Sequence, residues 1–180
     1  MILSGKTIKY RLDELTRGSR EELVNPASLN LRLGRSFKTI KKGQFIKLGE
    51  DVEYTNLHCD GSDMITIYPG EFMLATTMER LIIPDTMMAL VVGRSSIARI
   101  GLSVEIAGDI DPGFDGHITL ELYNESPNPI VLKPGYEICQ VIFMECDQRC
   151  DPYNGKYNGQ VMATESRMWK DRPIFEEANV

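Results

Sequence analysis

The 180-residue sequence predicts a mainly β domain, a distorted β-barrel, jelly roll or sandwich with short helices at its periphery. Three observations carry this. Short apolar or alternating runs recur from about residue 37 to about residue 146. Turn pairs punctuate them at Pro69-Gly70, Pro84-Asp85, Pro112-Gly113 and Pro134-Gly135. Helical spacing is concentrated near the start, where Ile8, Leu12 and Leu15 share one face and Ser4 is placed to cap it.

Taken in order, the first element is a helix from Ser4 through Leu12 or Leu15, with Asn25-Pro26 as the stop. Ala27–Leu33 alternates polar and apolar residues, and Gly34 reads as the end of that strand. Further strands are expected at Phe37–Ile40, Phe45–Leu48, Met64–Tyr68, Phe72–Thr77, Leu81–Ile83, Met88–Val92, Ser103–Ile106, His117–Tyr123, Ile130–Leu132 and Ile138–Met144. Ser96–Ile100 reads as one helical turn between strands. From Asp151 the composition changes: Tyr153–Gln160 is polar, Gly-bearing and reads as mobile, and Ala163–Lys170 as a short helix. Such a tail is either a lid or a frayed terminus. No repeat or linker divides the chain, so residues 1–180 are expected to form one domain with residues 151–180 as a C-terminal lid.

Apolar residues make up 42% and charged residues 26%, the balance of a soluble globular protein. A net charge of −6 argues against a broad nucleic-acid surface but leaves room for a small phosphorylated ligand, which needs only a few focused cations. No apolar run approaches the ~20 residues that span a bilayer. The N-terminus lacks a secretory core, so a cytoplasmic location without a membrane partner is expected. Four cysteines occur. A zinc set of His58, Cys59, Cys146 and Cys150 fits no usual ligand spacing, and reduced thiols are the preferred reading.

Chemistry concentrates between residues 93 and 123. In His117–Tyr123, Ile118, Leu120 and Leu122 point to one face, and His117, Thr119, Glu121 and Tyr123 to the other. Glu121 on that face is either solvated or a general base at a pocket wall. Arg94-Ser95-Ser96-Ile97-Ala98-Arg99 offers guanidinium and backbone N–H donors to phosphate. Asp111-Pro112-Gly113-Phe114 is a turn whose carboxylate caps the turn or accepts from a sugar hydroxyl, with Phe114 stacking nearby. No phosphate loop, nucleophile elbow or zinc-deaminase signature appears.

Together these motifs resemble the deoxycytidine triphosphate (dCTP) deaminase branch of the trimeric dUTPase superfamily. The matching blocks are Asn25–Gly34, Gly93–Arg99 with Gly101-Leu102, Ala107-Gly108 with Ile110–Gly116, Ile118–Asn124, and Pro134-Gly135 through Gln140. Tyr153, Lys156, Tyr157 and Gln160 fit as well. The resemblance implies a dUTPase-like fold and a homotrimer with active sites between subunits. Glu121 would be the proton-transfer residue, and Ser95 and Arg99 would reach it from a neighbouring chain. Arg94, Ser95, Ser96, Ile97, Ala98, Arg99, Thr119, Leu120 and Gln140 would line the nucleotide site. The Ala107 carbonyl would hold the water or amino group, and Asp111 the deoxyribose hydroxyl. Tyr153, Lys156 and Gln160 would close over a triphosphate carrying Mg²⁺, with no catalytic zinc.

The leading expectation is deamination of dCTP to dUTP and ammonia. The alternative is a bifunctional enzyme that also cleaves the triphosphate to dUMP and pyrophosphate, Asp111 helping water attack the α-phosphate. Two departures bear on ring recognition, feedback inhibition and substrate preference, and resemble short members that form dUMP. Val104–Asp109 lacks the usual Thr and carries two carboxylates, and the Tyr153–Lys156 spacing is short. A plain dUTPase is disfavoured by the tail and by Phe114, and a silent nucleotide-binding trimer by the retained Glu121, Ser95, Arg99 and Asp111.

Overall fold

The computed structural model describes residues 1–105 and 109–171, Glu105 by its backbone alone. Ser4 caps α1 (Gly5–Tyr10) by accepting from the Thr7 N–H. The predicted helix breaks at Arg11 into a second turn, α2 (Leu12–Leu15), and the chain is already extended at β1 (Thr16–Arg17), well before Asn25-Pro26. Ile8 and Leu15 are fully buried, as the apolar spacing requires.

The rest is antiparallel β structure. The strands are β2 (Leu29–Ile40), β3 (Tyr54–His58), β4 (Ile65–Ile67), β5 (Phe72–Ile82), β6 (Met87–Gly93), β7 (Leu102–Glu105), β8 (Asp109–Ile110), β9 (Asp115–Asn124), β10 (Ile130–Leu132) and β11 (Glu137–Glu145). Nine of them form one curled sheet in the order β7-β9-β5-β2-β11-β6-β8, with β1 on β5 and β3 on β2; β4 and β10 pair separately. The α3 turn (Ser95–Ala98) joins β6 to β7. The mainly β expectation holds.

Two strands are longer than predicted, for one reason. Gly34 does not end a strand; β2 runs on through it and turns a corner. The first half of β2 pairs with β11, and the second half with β3 and β5. Between Leu33 and Phe37 the register against β5 slips, and between Thr76 and Arg80 β5 slips against β9. These bulges sharpen the local bend and free backbone groups from the ladder. Side chains take them up. The Arg32 N–H donates to Glu79 Oε2 at 2.7 Å and the Ile118 N–H to Thr77 Oγ1 at 3.0 Å, while His117 Nδ1 lies 3.1 Å from the Thr77 carbonyl. Glu79 is fully buried and pairs with Arg32 Nε at 2.6 Å.

Two other expectations fail. Phe45–Leu48 is not a strand: Phe45 and Leu48 are 96% and 93% exposed, in a loop braced by Gln44 across Lys41 and Glu53. Ala163–Lys170 is not a helix; only Met168–Lys170 forms a 3₁₀ turn.

A Cβ on Gly34 would sit 2.5 Å from Thr76 Cγ2 and 2.8 Å from the Thr76 carbonyl oxygen. Gly34→Ala should therefore force the corner apart and lower stability by about 1–3 kcal/mol, the usual cost of overpacking. Urea denaturation of the variant checks this; an unchanged midpoint would show that the corner has slack.

Candidate active site

β9 builds the site because it is buried on both edges, by β5 and β7, while its side chains alternate. Ile118, Leu120 and Leu122 enter the core; Thr119 and Glu121 are half-buried on the opposite face. Glu121 lies across from Leu74 on one side and from Glu105 on the other. It forms part of the wall of a cleft of about 550 Å³, together with Asp109, Asp111, Phe114, Thr119, Tyr153 and Gln160.

The Asp111–Phe114 turn sets one rim. Gly113 has φ +85°, and a Cβ there would lie 2.5 Å from Pro152 Cβ, so glycine is required both by the turn and by the tail packed on it. Phe114 is buried, with its ring centroid 6.3 Å from that of Tyr153.

From Tyr153 to Thr164 the tail is tied down. Its first part is tied to the sheet by backbone pairs: the Tyr153 N–H donates to the Pro112 carbonyl at 2.7 Å, Gly159 N–H to Asp115 at 2.8 Å, and His117 N–H to Gln160 at 2.9 Å. Thr119 Oγ1 donates to Gln160 Oε1 at 3.3 Å and accepts from the Thr164 N–H at 3.0 Å. Tyr54, Leu74, Tyr157, Thr164, Glu165 and Ser166 also line the cleft. Of these, sequence reasoning named only Tyr157, as part of the tail motif. Burial pushes the Tyr54 phenol pKa up.

The second group of predicted residues lies elsewhere on the same chain. Arg94, Ser95, Ser96 and Gln140 line another cleft, of about 380 Å³, with Asn25, Ser28 and Asn30. A polar chain organises it. Asn25 Nδ2 reaches Ser28 Oγ and Asn30 Oδ1, Ser28 Oγ donates to Gln140 Oε1 at 2.9 Å, and Asn30 Nδ2 donates to Glu137 Oε2 at 2.6 Å. Arg94 Nη1 is 3.1 Å from the same Glu137 oxygen. The two clefts share no lining residue.

Other predicted residues line neither cleft. Arg99 and Ala98 are exposed, and Ile97 is a core residue at 6% exposure. The Leu120 side chain is wholly buried, which leaves its backbone as the part nearest the site. Lys156 is held by Asp171, with Nζ 2.5 Å from both carboxylate oxygens. Ala107 lies outside the described residues. Cys59 and Cys139 are buried, and among the described residues no three His, Cys, Asp or Glu side chains gather where they could hold a metal ion. No helix among them is long and apolar enough to cross a membrane.

A family model described as dCTP deaminase-like matches residues 2–146. The chain belongs to that family. A protein of Sulfurihydrogenibium sp. named "dCTP deaminase, dUMP-forming" is 40% identical over 179 residues, covering 96% of this chain and 99% of its own. Proteins of the same name from Methanosphaera stadtmanae (37% identity, 97% of each chain) and Aquifex aeolicus (36%, 98% of this chain and 100% of its own) are also similar. The structure of 2′-deoxycytidine 5′-triphosphate deaminase from Agrobacterium tumefaciens shares the fold, with a TM-score of 0.60 at 23% identity over 79% of this chain; the match spans 47% of that longer chain.

These relatives correct the leading expectation of dUTP and ammonia as final products, since each is named dUMP-forming. The physical reason for the error is that Glu121, Ser95 and Arg99 would serve the deamination step in either kind of enzyme. The features of this sequence on which the dUMP-forming alternative rested are the missing Thr in Val104–Asp109 and the short Tyr153–Lys156 spacing.

Lys38 Nζ holds Glu165 Oε2 at 2.5 Å, and this hydrogen bond keeps the Glu165 carboxyl below the ordinary range. A depressed acid contributes stability above its unfolded pKa and loses it as pH falls through the lower folded value. Tail docking should therefore hold at neutral pH and loosen only below about pH 4.5, the ordinary glutamate value. Hydrogen exchange at the Ala163 and Thr164 amides against pH measures this, with Glu165→Gln expected to flatten the response.

Proposed function

We propose that the protein converts dCTP to dUMP, releasing ammonia and pyrophosphate at one site shared between two chains of a homotrimer. The observation that carries this reading is the separation of the two clefts. One holds Glu121, Asp111, Thr119 and aromatic rings; the other holds Arg94 and paired serines. A nucleotide triphosphate needs both kinds of surface, and docking of the second cleft of one chain against the first cleft of a neighbour would supply them together.

In the deamination step, Glu121 takes a proton from water as the oxygen attacks the amino-bearing ring carbon of cytosine. The carboxylic acid then passes that proton to the adjacent ring nitrogen. A second transfer, from the new hydroxyl through Glu121 to the amino group, lets ammonia leave and forms the uracil carbonyl. General acid–base help of this kind contributes ~10²–10⁴-fold. Ser95 and Arg99 from the neighbouring chain would orient the water and the carboxylate, and the Ala107 carbonyl would hold the water or amino group. Asp111 would accept from the deoxyribose hydroxyl. Arg94, Ser96 and Gln140 would face the phosphates. Ile97, Ala98 and Leu120 would contribute backbone, Thr119 would hold Gln160 over the base, and Tyr153 and Lys156 would cover the triphosphate.

In the second step, Asp111 would orient a water towards the α-phosphorus, and the bond to the departing pyrophosphate would break. The described carboxylates nearest this rim, Asp109 and Asp111, are too few for a protein cage but suit Mg²⁺ held mainly by phosphate oxygens and water. When bound, Mg²⁺ would neutralise phosphate charge during that attack. The absence of a described membrane-spanning helix and the small nucleotide substrate are compatible with a cytoplasmic site of action.

Incubation with dCTP and magnesium should release ammonia, dUMP and pyrophosphate in equal amounts. Accumulation of dUTP as the end product would overturn the second step. Glu121→Gln should lower ammonia release by at least ~10²-fold while leaving nucleotide binding intact; an active variant would remove Glu121 from its role. Arg99→Ala should also be impaired, and mixing it with Glu121→Gln should restore part of the activity through trimers that pair one intact half-site of each kind. Absence of complementation would place each site within a single chain.

A further inference from the structure

The tail is held by two different kinds of bond. Its root, from Pro152 to Gln160, is paired to the sheet through backbone groups at Tyr153, Gly159 and Gln160. Between Ala163 and Arg167 three backbone N–H groups go to side-chain hydroxyls instead. The Ala163 N–H donates to Ser36 Oγ at 3.1 Å, Thr164 N–H to Thr119 Oγ1 at 3.0 Å, and Arg167 N–H to Tyr157 Oη at 3.0 Å. Ala163 is 1% exposed and Ser36 6% exposed, so this contact is a small buried plug. Lys38, two residues along β2 on the same face, holds Glu165. Between root and plug, Val161 and Met162 are 63% and 58% exposed.

We propose that Ser36 and Lys38 are positioning residues that latch the segment Ala163–Arg167 over the Glu121 cleft, and that this segment swings at Val161-Met162 while the root stays on the sheet. Thr164, Glu165 and Ser166 line the cleft, so a nucleotide reaches Glu121 when the segment lifts. Neither Ser36 nor Lys38 lines either cleft. They act through the tail and not on substrate.

The arrangement separates the energetics of the gate from those of binding. If the segment is latched in both the free and the nucleotide-bound protein, weakening the latch cancels from the affinity and appears only in the opening step. The kinetic part of this inference rests on dCTP as the ligand; the structural part does not.

Hydrogen exchange on Ser36→Ala tests the structural part. The Ala163, Thr164 and Arg167 amides should exchange roughly tenfold faster, as expected when a buried N–H loses its acceptor, while the Tyr153 and Gly159 amides keep the parent rate. Lys38→Met should give the same pattern with Ser36 intact. Acceleration of Tyr153 and Gly159 alongside the others would show that the tail moves as one piece, and a change at Ala163 alone would show that no shared latch exists; either overturns the proposal. For the kinetic part, each substitution is placed in the Glu121→Gln background and mixed rapidly with dCTP and magnesium. Association and dissociation should both quicken roughly tenfold, with Kd moving by less than about threefold. Faster dissociation with an unchanged association rate would make Ser36 a residue that shapes the site, which refutes the gate. Failure of the parent and every variant to bind dCTP would refute the substrate assignment, with the exchange pattern still deciding for or against the latch.

Discussion

The structure depends on the corner where β2 and β5 bulge together. A flat antiparallel sheet would continue β2 straight past Gly34. Instead Gly34 lets the β2 backbone lie against Thr76 and Thr77, at a distance no side chain would permit. The strand leaves β11 and joins β3 and β5. Such a bend exposes backbone groups in the interior, where an unpaired one costs about 1–3 kcal/mol. Thr77, Glu79 and Arg32 satisfy them, and Glu79 is stable there as a buried carboxylate because it accepts from both Arg32 Nε and the Arg32 backbone. The corner therefore couples three elements: it curls the sheet, fixes the β9 register through Thr77, and turns the far half of β2 so that Ser36 and Lys38 meet the tail.

From that corner the position of Glu121 follows. β9 is locked between two neighbours and its apolar residues have only one direction to go. A one-residue slip would bury Thr119 and Glu121 and expose Ile118, Leu120 and Leu122. Core packing thus pays for the placement of a carboxylate on the opposite face. The same strand receives the tail at Asp115, His117 and Thr119, which is why the cleft has a roof made of residues some 40 positions later in the chain.

What was legible in the sequence tracks how local its cause is. The β4, β6, β9, β10 and β11 strands carry apolar alternation and were readable to within two residues at either end. The face of Glu121 followed from a period of two. The β3 strand was missed because Tyr54–His58 has almost no buried face, and its existence depends on β2 offering an edge. Phe45–Leu48 carries a strand composition but is held as a loop by the polar bridging of Gln44. Gly34 reads as a terminator to any local rule, since only a distant pair of threonines makes it a corner. The tail was ambiguous for the same reason: nothing in Ala163–Ser166 announces that Ser36 and Thr119 will accept its N–H groups and draw it out of a helix. Tyr54, Glu165 and Ser166 entered the site through those long-range contacts, so motif reading had no means of naming them.

A tail held in this manner bears on how two hydrolyses could share one cleft. The uracil product of the first step differs from its substrate by an oxygen in place of an amino group, so the sugar and triphosphate contacts that hold one hold the other. Whether the second water attacks depends on a competition between chemistry at the α-phosphorus and loss of the intermediate. Root contacts made by backbone pairs cannot adjust that competition without disturbing β9 itself. Hydroxyl contacts to Ala163, Thr164 and Arg167 can, because each is separable from the sheet ladder and a hydrogen bond contributes only about 1 kcal/mol net. A roof closed by several such bonds can lift without unpairing the root from β9.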